Sequence, residues 1–103
     1  MTQAELFTLL KTTGLSVTYH HWDKPPALPY VVYLFTDSDN FGADNKVYKK
    51  INNYQVELYS DKKDLASEAL IEAALDSADI YYEKSEVYIQ AESLYEVLYL
   101  IQI

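Results

Sequence analysis

The stretch Tyr48–Leu75 constrains the fold more than any other. Tyr54, Val56 and Leu58 alternate with Gln55, Glu57 and Tyr59, which is the period-two pattern of a strand with one covered face. Ser60-Asp61-Lys62-Lys63-Asp64 breaks that alternation. Ser60 or Asp61 is placed to cap the free N–H groups of a following helix, and Asp64 to sit in its first turn, where the positive helix end favours an acid. Ala66, Ala69, Leu70, Ala73 and Ala74 then recur at one-face helical spacing, with Glu68, Glu72 and Asp76 assigned to the opposite side. A strand running directly into a helix, with no reactive group in either, points to a scaffold.

The rest of the chain supplies partners for that unit. Thr2–Thr13 reads as a helix, with a Thr2-x-x-Glu5 capping box, an apolar stripe of Leu6, Leu9 and Leu10, and Phe7 beside it. Gly14 follows where a left-handed residue ends a helix. Leu15–Trp22 reads as a short strand and Asp23–Pro29 as a loop stiffened by Pro25, Pro26 and Pro29, any of which could follow a cis bond. Tyr30–Thr36 is a strand that is apolar on both parities. Asp37–Lys46 is a polar, acidic turn region, expected to be a long hairpin loop. Asp79–Lys84 is a strand that Ser85–Gln90 could extend. Ser93–Ile103 closes the chain as a strand; Leu94, Val97, Leu98 and Ile101 also fit a helix, but tyrosine and β-branched content favour the strand.

The expected order is therefore α-β-β-β-α-β-β. It implies an α+β fold, a mainly antiparallel sheet of four to five strands with both helices on one face. At 103 residues the chain is expected to be one domain, residues 1–103.

Charge narrows the function classes. Sixteen acidic residues oppose eight basic ones, all lysine, for a net charge of −8. That argues against tight binding to nucleic-acid phosphates or to an anionic membrane. No apolar run approaches the ~20 residues of a membrane-spanning helix. Met1–Glu5 lacks the basic segment of a secretory signal, so none is expected. Without cysteine there is no disulfide or thiolate metal site.

Three groups invite a chemical reading. His20, His21 and Asp23 could suggest a metal, but neighbours in a strand point to opposite faces, so the imidazoles are expected to diverge. Asp37-x-Asp39-x-x-Gly42 resembles the start of a calcium loop, but Phe41 stands at its fifth position and Tyr48 where its twelfth-position glutamate belongs. Glu83, Glu86, Glu92 and Glu96 are read as solvated strand faces, since no nucleophile or glycine-rich cradle accompanies them. No catalytic, cofactor-binding or metal-binding residue is assigned, no cofactor is expected, and the chain is read as a non-enzyme.

What survives is surplus apolar surface on Tyr30–Thr36 and Leu94–Ile103. Two amphipathic helices cover one face only, which leaves the second face either to loops and the twist and curvature of the strands or to an interface between subunits. The expected subunit interface is Tyr30, Val32, Tyr33, Phe35, Tyr95, Val97, Tyr99 and Ile101. Asp37, Asp39, Phe41 and Asp44 are expected on a projecting lumen or docking loop.

Three segments carry a family resemblance: Pro25–Tyr33 before an acidic loop, Asn53–Asp64 before an alanine-rich helix, and Ala91–Tyr99 near the end. Together they resemble the tail terminator (tail completion) proteins of the head–tail joining cluster in long-tailed, non-contractile phages and Gram-positive prophages. The resemblance implies a virion protein that forms a homo-oligomeric ring, usually hexameric. Such a ring caps the tail tube, stops its polymerisation and joins tail to head. The implied partners are the major tail protein and head–tail connector proteins, with double-stranded DNA passing the lumen without tight binding and no membrane involved. The implied location is the neck of the virion, reached from the host cytoplasm. Another connector or head-closure ring is the nearest alternative. An acidic DNA-mimic inhibitor or a small binding module follows, and a hydrolase without a motif comes last.

Overall fold

The computed structural model describes residues 1–103. Nine elements follow in order: α1 (Gln3–Lys11), β1 (Ser16–Tyr19), β2 (Tyr30–Ser38), β3 (Phe41–Ala43), β4 (Lys46–Lys49), β5 (Asn52–Ser60), α2 (Leu65–Ser77), β6 (Tyr82–Ile89) and β7 (Leu94–Gln102). Five strands form one sheet in the order β1-β2-β5-β7-β6, and β3 pairs with β4 in a separate hairpin. The class is α+β, as the patterning implies. Every pairing in the large sheet is antiparallel except β1 with β2. The final segment is a strand over Leu94–Gln102, paired on both sides by β5 and β6.

Both helices lie on one face of the sheet. Leu6 and Leu10 of α1 and Ile71 and Leu75 of α2 meet Val31, Val56, Leu58, Val97 and Ile101 in a single core. Strand periodicity sets this face, because residues two apart along a strand share a side. The Thr2 capping box forms, with Glu5 N–H donating to Thr2 Oγ1 at 3.1 Å and Thr2 N–H to Glu5 Oε1 at 2.9 Å. Gly14 takes φ 81°, left-handed as expected.

Helix α2 differs from its expected phase. Asp64 is the N-cap, accepting from Ser67 N–H at 3.0 Å, in place of Ser60 or Asp61. The buried stripe is Ser67, Glu68, Ile71, Ala74 and Leu75, while Leu70 is exposed. Ile71 and Leu75 bury more apolar area than the alanines do, and they turn the helix accordingly. Glu68 follows them inward.

A cluster of ion pairs makes that tolerable. Glu68, 2% exposed, lies 2.8 Å from Lys63 Nζ and 2.7 Å from Lys84 Nζ. Lys63 also reaches Glu86 at 2.7 Å, and Lys84 reaches Glu72 at 2.8 Å. Burial pushes the Glu68 carboxyl up, but the two ammonium groups outweigh it and hold the group below the usual carboxylate range. Glu72 also accepts the Tyr99 hydroxyl at 2.8 Å. The expected solvated Glu86 is thus one end of a brace between α2 and β6.

Candidate functional site

The sheet face opposite the helices is open. Strand register places Val32, Glu57, Leu98 and Ser85 in one row across it, with Leu34, Gln55, Leu100 and Glu83 in the next. Tyr30, Tyr59, Glu96 and Val87 form a third. Leu100 and Val87 are about half exposed. One corner is covered, since the loop between β1 and β2 crosses this side. Trp22 meets Tyr30 edge-on at 6.0 Å, and Tyr30 lies 5.3 Å from Tyr59. The bond before Pro29 is the cis one.

The residues expected at a subunit interface divide between the two faces. Tyr33, Val97, Tyr99 and Ile101 are at most 4% exposed and belong to the core beneath the helices. They cannot contact another chain in this fold. They share odd parity, and on β2 and β7 the odd positions are the ones beneath the helices. Phe35 has the same parity but lies beyond the helices, 43% exposed against Tyr54. Tyr95 is half-buried beside Tyr88, with ring centroids 4.9 Å apart. Tyr30 and Val32 face the open side, where Val32 is nevertheless buried. Leu34, Leu98 and Leu100 belong to the two apolar strands but not to the expected interface, and they face the open side; their alternation with the buried residues of β2 and β7 is the signal that marks them.

Carboxylates mark the middle of the open face. The Tyr59 hydroxyl donates to Glu57 Oε2 at 2.7 Å. Glu96 is pushed up to about 7, first by burial and then by the neighbouring Glu57 carboxylate. Burial likewise raises Tyr59.

The Asp37–Lys46 region is more ordered than a loop. β2 continues to Ser38, and the chain then builds the β3–β4 hairpin. Asp44 and Asn45 take φ 53° and 61°, the two left-handed positions of a tight hairpin turn. Gly42 is required there, since a Cβ would lie 2.6 Å from the Lys46 carbonyl oxygen. Every residue from Phe35 to Lys50 is exposed, and the molecule measures 49 × 29 × 24 Å.

The four expected loop residues separate into base and tip. Asp37 and Asp39 each accept from Asn53 Nδ2 at 2.8 Å and brace the hairpin base. Phe41, 66% exposed, lies on the arm, and Asp44 is in its turn. Phe41–Lys50 holds three lysines against one aspartate, so the arm carries +2 and the remaining chain −10. The expectation of an acidic projection fails because Asp37 and Asp39 stay at the base, only Asp44 reaches the turn, and Lys49 and Lys50 lie beyond the expected boundary.

At the same end of the sheet a groove of about 980 Å³ opens between β6, β7 and the start of β5. Tyr81, Leu100 and Ile103 line its apolar part, and Asp37, Asp79 and Glu83 supply carboxylates; no lysine reaches it.

The histidines depart from expectation. β1 ends at Tyr19, and His20 turns to φ 70°. The two Nδ1 atoms therefore come within 3.2 Å, and His21 Nε2 lies 3.3 Å from Asp23. No three His, Asp or Glu side chains form a metal-binding group. No helix is long and apolar enough to cross a membrane.

The chain shares its fold with a virion component. A chain of the "Virion of native gene transfer agent (GTA) particle" superposes with a TM-score of 0.59 at 14% identity. The match covers 91% of this chain and 81% of that one. Neither a family model nor a curated protein sequence matches.

Proposed function

We propose that this chain is a structural virion protein of the phage neck. It forms a homo-oligomeric ring, a hexamer, that caps the tail tube, stops tube polymerisation and joins tail to head. The observation that carries this reading is the fold shared along 91% of the chain with a component of a phage-like particle. The open sheet face and the projecting hairpin support it, as both offer apolar surface to neighbouring subunits. A net charge of −8 suits a ring through which DNA slides, since acidic walls repel phosphate. The role is one of assembly, with no catalytic residue, no cofactor and no membrane partner.

Deleting the gene from the phage or prophage that encodes it tests this. The expected products, seen by electron microscopy, are full heads without tails and tubes of uncontrolled length. Tubes of normal length beside unjoined heads would favour a head-closure or connector ring instead. Normal particles without the protein would overturn the virion assignment.

A further inference from the structure

The hairpin and the groove are complementary in chemistry. The arm presents Phe41, Val47 and Tyr48, each more than half exposed, among Lys46, Lys49 and Lys50. The arm buries none of its own residues, so its exposed aromatics contribute nothing to the core. The groove offers apolar walls at Tyr81 and Leu100, 76% and 47% exposed, beside Asp37, Asp79 and Glu83. Its volume of about 980 Å³ is that of a groove able to take several side chains.

We propose that the β3–β4 hairpin of one copy docks in the acidic groove of a second copy. The occupant is identified by charge. A body of −10 would repel another such body, and the arm at +2 is the one segment that reverses the sign. Phe41 and Tyr48 enter the groove as aromatic anchors while the lysines meet its carboxylate rim. Arm and groove are different surfaces, so the contact is head-to-tail. Each copy gives one arm and receives another, and the series closes into a ring when the rotation permits. This contact deepens the ring reading and rests on it.

A charge exchange tests it. One variant carries Lys46→Glu, Lys49→Glu and Lys50→Glu, which takes the arm from +2 to −4. The other carries Asp79→Asn, Tyr81→Lys and Glu83→Lys, which takes the groove side chains from −3 to +1. Asparagine is chosen at Asp79 because φ there is 55°. Light scattering across concentration at low salt should show oligomers for the wild type and monomers for each variant alone. An equimolar mixture should assemble again, because both cross-contacts then pair opposite charges. Circular dichroism checks that each variant folds. The arm variant alters exposed residues only and remains decisive should the groove variant misfold. A monomeric wild type at every concentration, an arm variant that assembles like wild type, or a mixture of two folded variants that stays monomeric would each overturn the contact. The gene-deletion phenotype reads neck function separately, so the contact can fail while the virion assignment stands.

Discussion

Replacing Glu68 by glutamine should destabilise the protein through charge alone. The side chain is 2% exposed, with ammonium groups at 2.8 Å and 2.7 Å. Glutamine keeps the volume and one acceptor oxygen, but its amide turns two donors toward cations. A hydrogen bond to a charged group contributes about 1.5–3 kcal/mol, and breaking a buried pair costs about 3–5 kcal/mol. The lower part of that span applies here. Lys63 and Lys84 are 44% and 35% exposed and keep Glu86 and Glu72 as partners. The expected loss is about 2 kcal/mol, or about 8–15 °C in melting temperature for a chain of this length.

Urea unfolding at pH 7 and pH 3 measures it. The Glu68 carboxyl is held below its ordinary 4.5, so its charged form adds stability above that value and loses it as pH falls through the depressed folded value. The gap between wild type and Glu68→Gln should therefore narrow in acid. A loss below about 0.5 kcal/mol at pH 7, the range of ordinary surface substitutions, would refute the brace. So would a loss that stays constant with pH, because packing and not charge would then be responsible.

Three further changes read other parts of the molecule. Glu96→Gln should stabilise the protein at pH 8 and have little effect at pH 4: the folded carboxyl is raised to about 7, so charging it opposes folding as pH rises, and thermal melts at the two pH values check the sign. Tyr99→Phe should cost about 1 kcal/mol in urea unfolding, because its hydroxyl donates to Glu72 at 2.8 Å. Gly42→Ala should open the hairpin, given the 2.6 Å approach to the Lys46 carbonyl oxygen, and limited proteolysis should cut near Lys46–Lys50 faster while the melting temperature stays within a few degrees, because the arm buries nothing.

Outside Asp37–Lys50, where two short strands replace the expected loop, element types were legible because period two and helical spacing are local properties. The capping box at Thr2, the alternation in β5 and the strand nature of the last segment could all be read without tertiary contacts. The phase of α2 could not. Its alanines and its Ile71–Leu75 pair define competing stripes, and only the sheet decides between them, while Lys84, sixteen residues after Glu68, makes burial of that glutamate tolerable. The same limit applied to the interface. Tyr33 and Tyr99 look like surplus surface in a strand that is apolar on both parities, and which parity meets the helices is a tertiary fact. At the hairpin the limit was one of boundary. Stopping at Lys46 counted Asp37, Asp39 and Asp44 and left out Lys49 and Lys50, which changes the sign of the charge read for the projection.

That sign bears on assembly in a way composition conceals. A uniformly acidic chain at −8 would resist self-association, and raising the salt would help it by screening the repulsion. A chain divided into an arm at +2 and a body at −10 behaves differently, because contacts can pair arm with body while bodies stay apart. Salt then acts in both directions: it weakens the paired contact and relieves repulsion between bodies. The paired charges lie within a few ångströms, whereas the bodies interact across a larger gap that mobile ions enter more readily. Moderate salt should therefore remove the long-range repulsion first. Oligomers held by the arm should pass through a maximum as salt is raised, and the arm variant with three glutamates should show only a monotonic rise. A wild type that gains oligomer steadily up to high salt would mean that apolar burial alone holds the contact and that the lysines do not contribute.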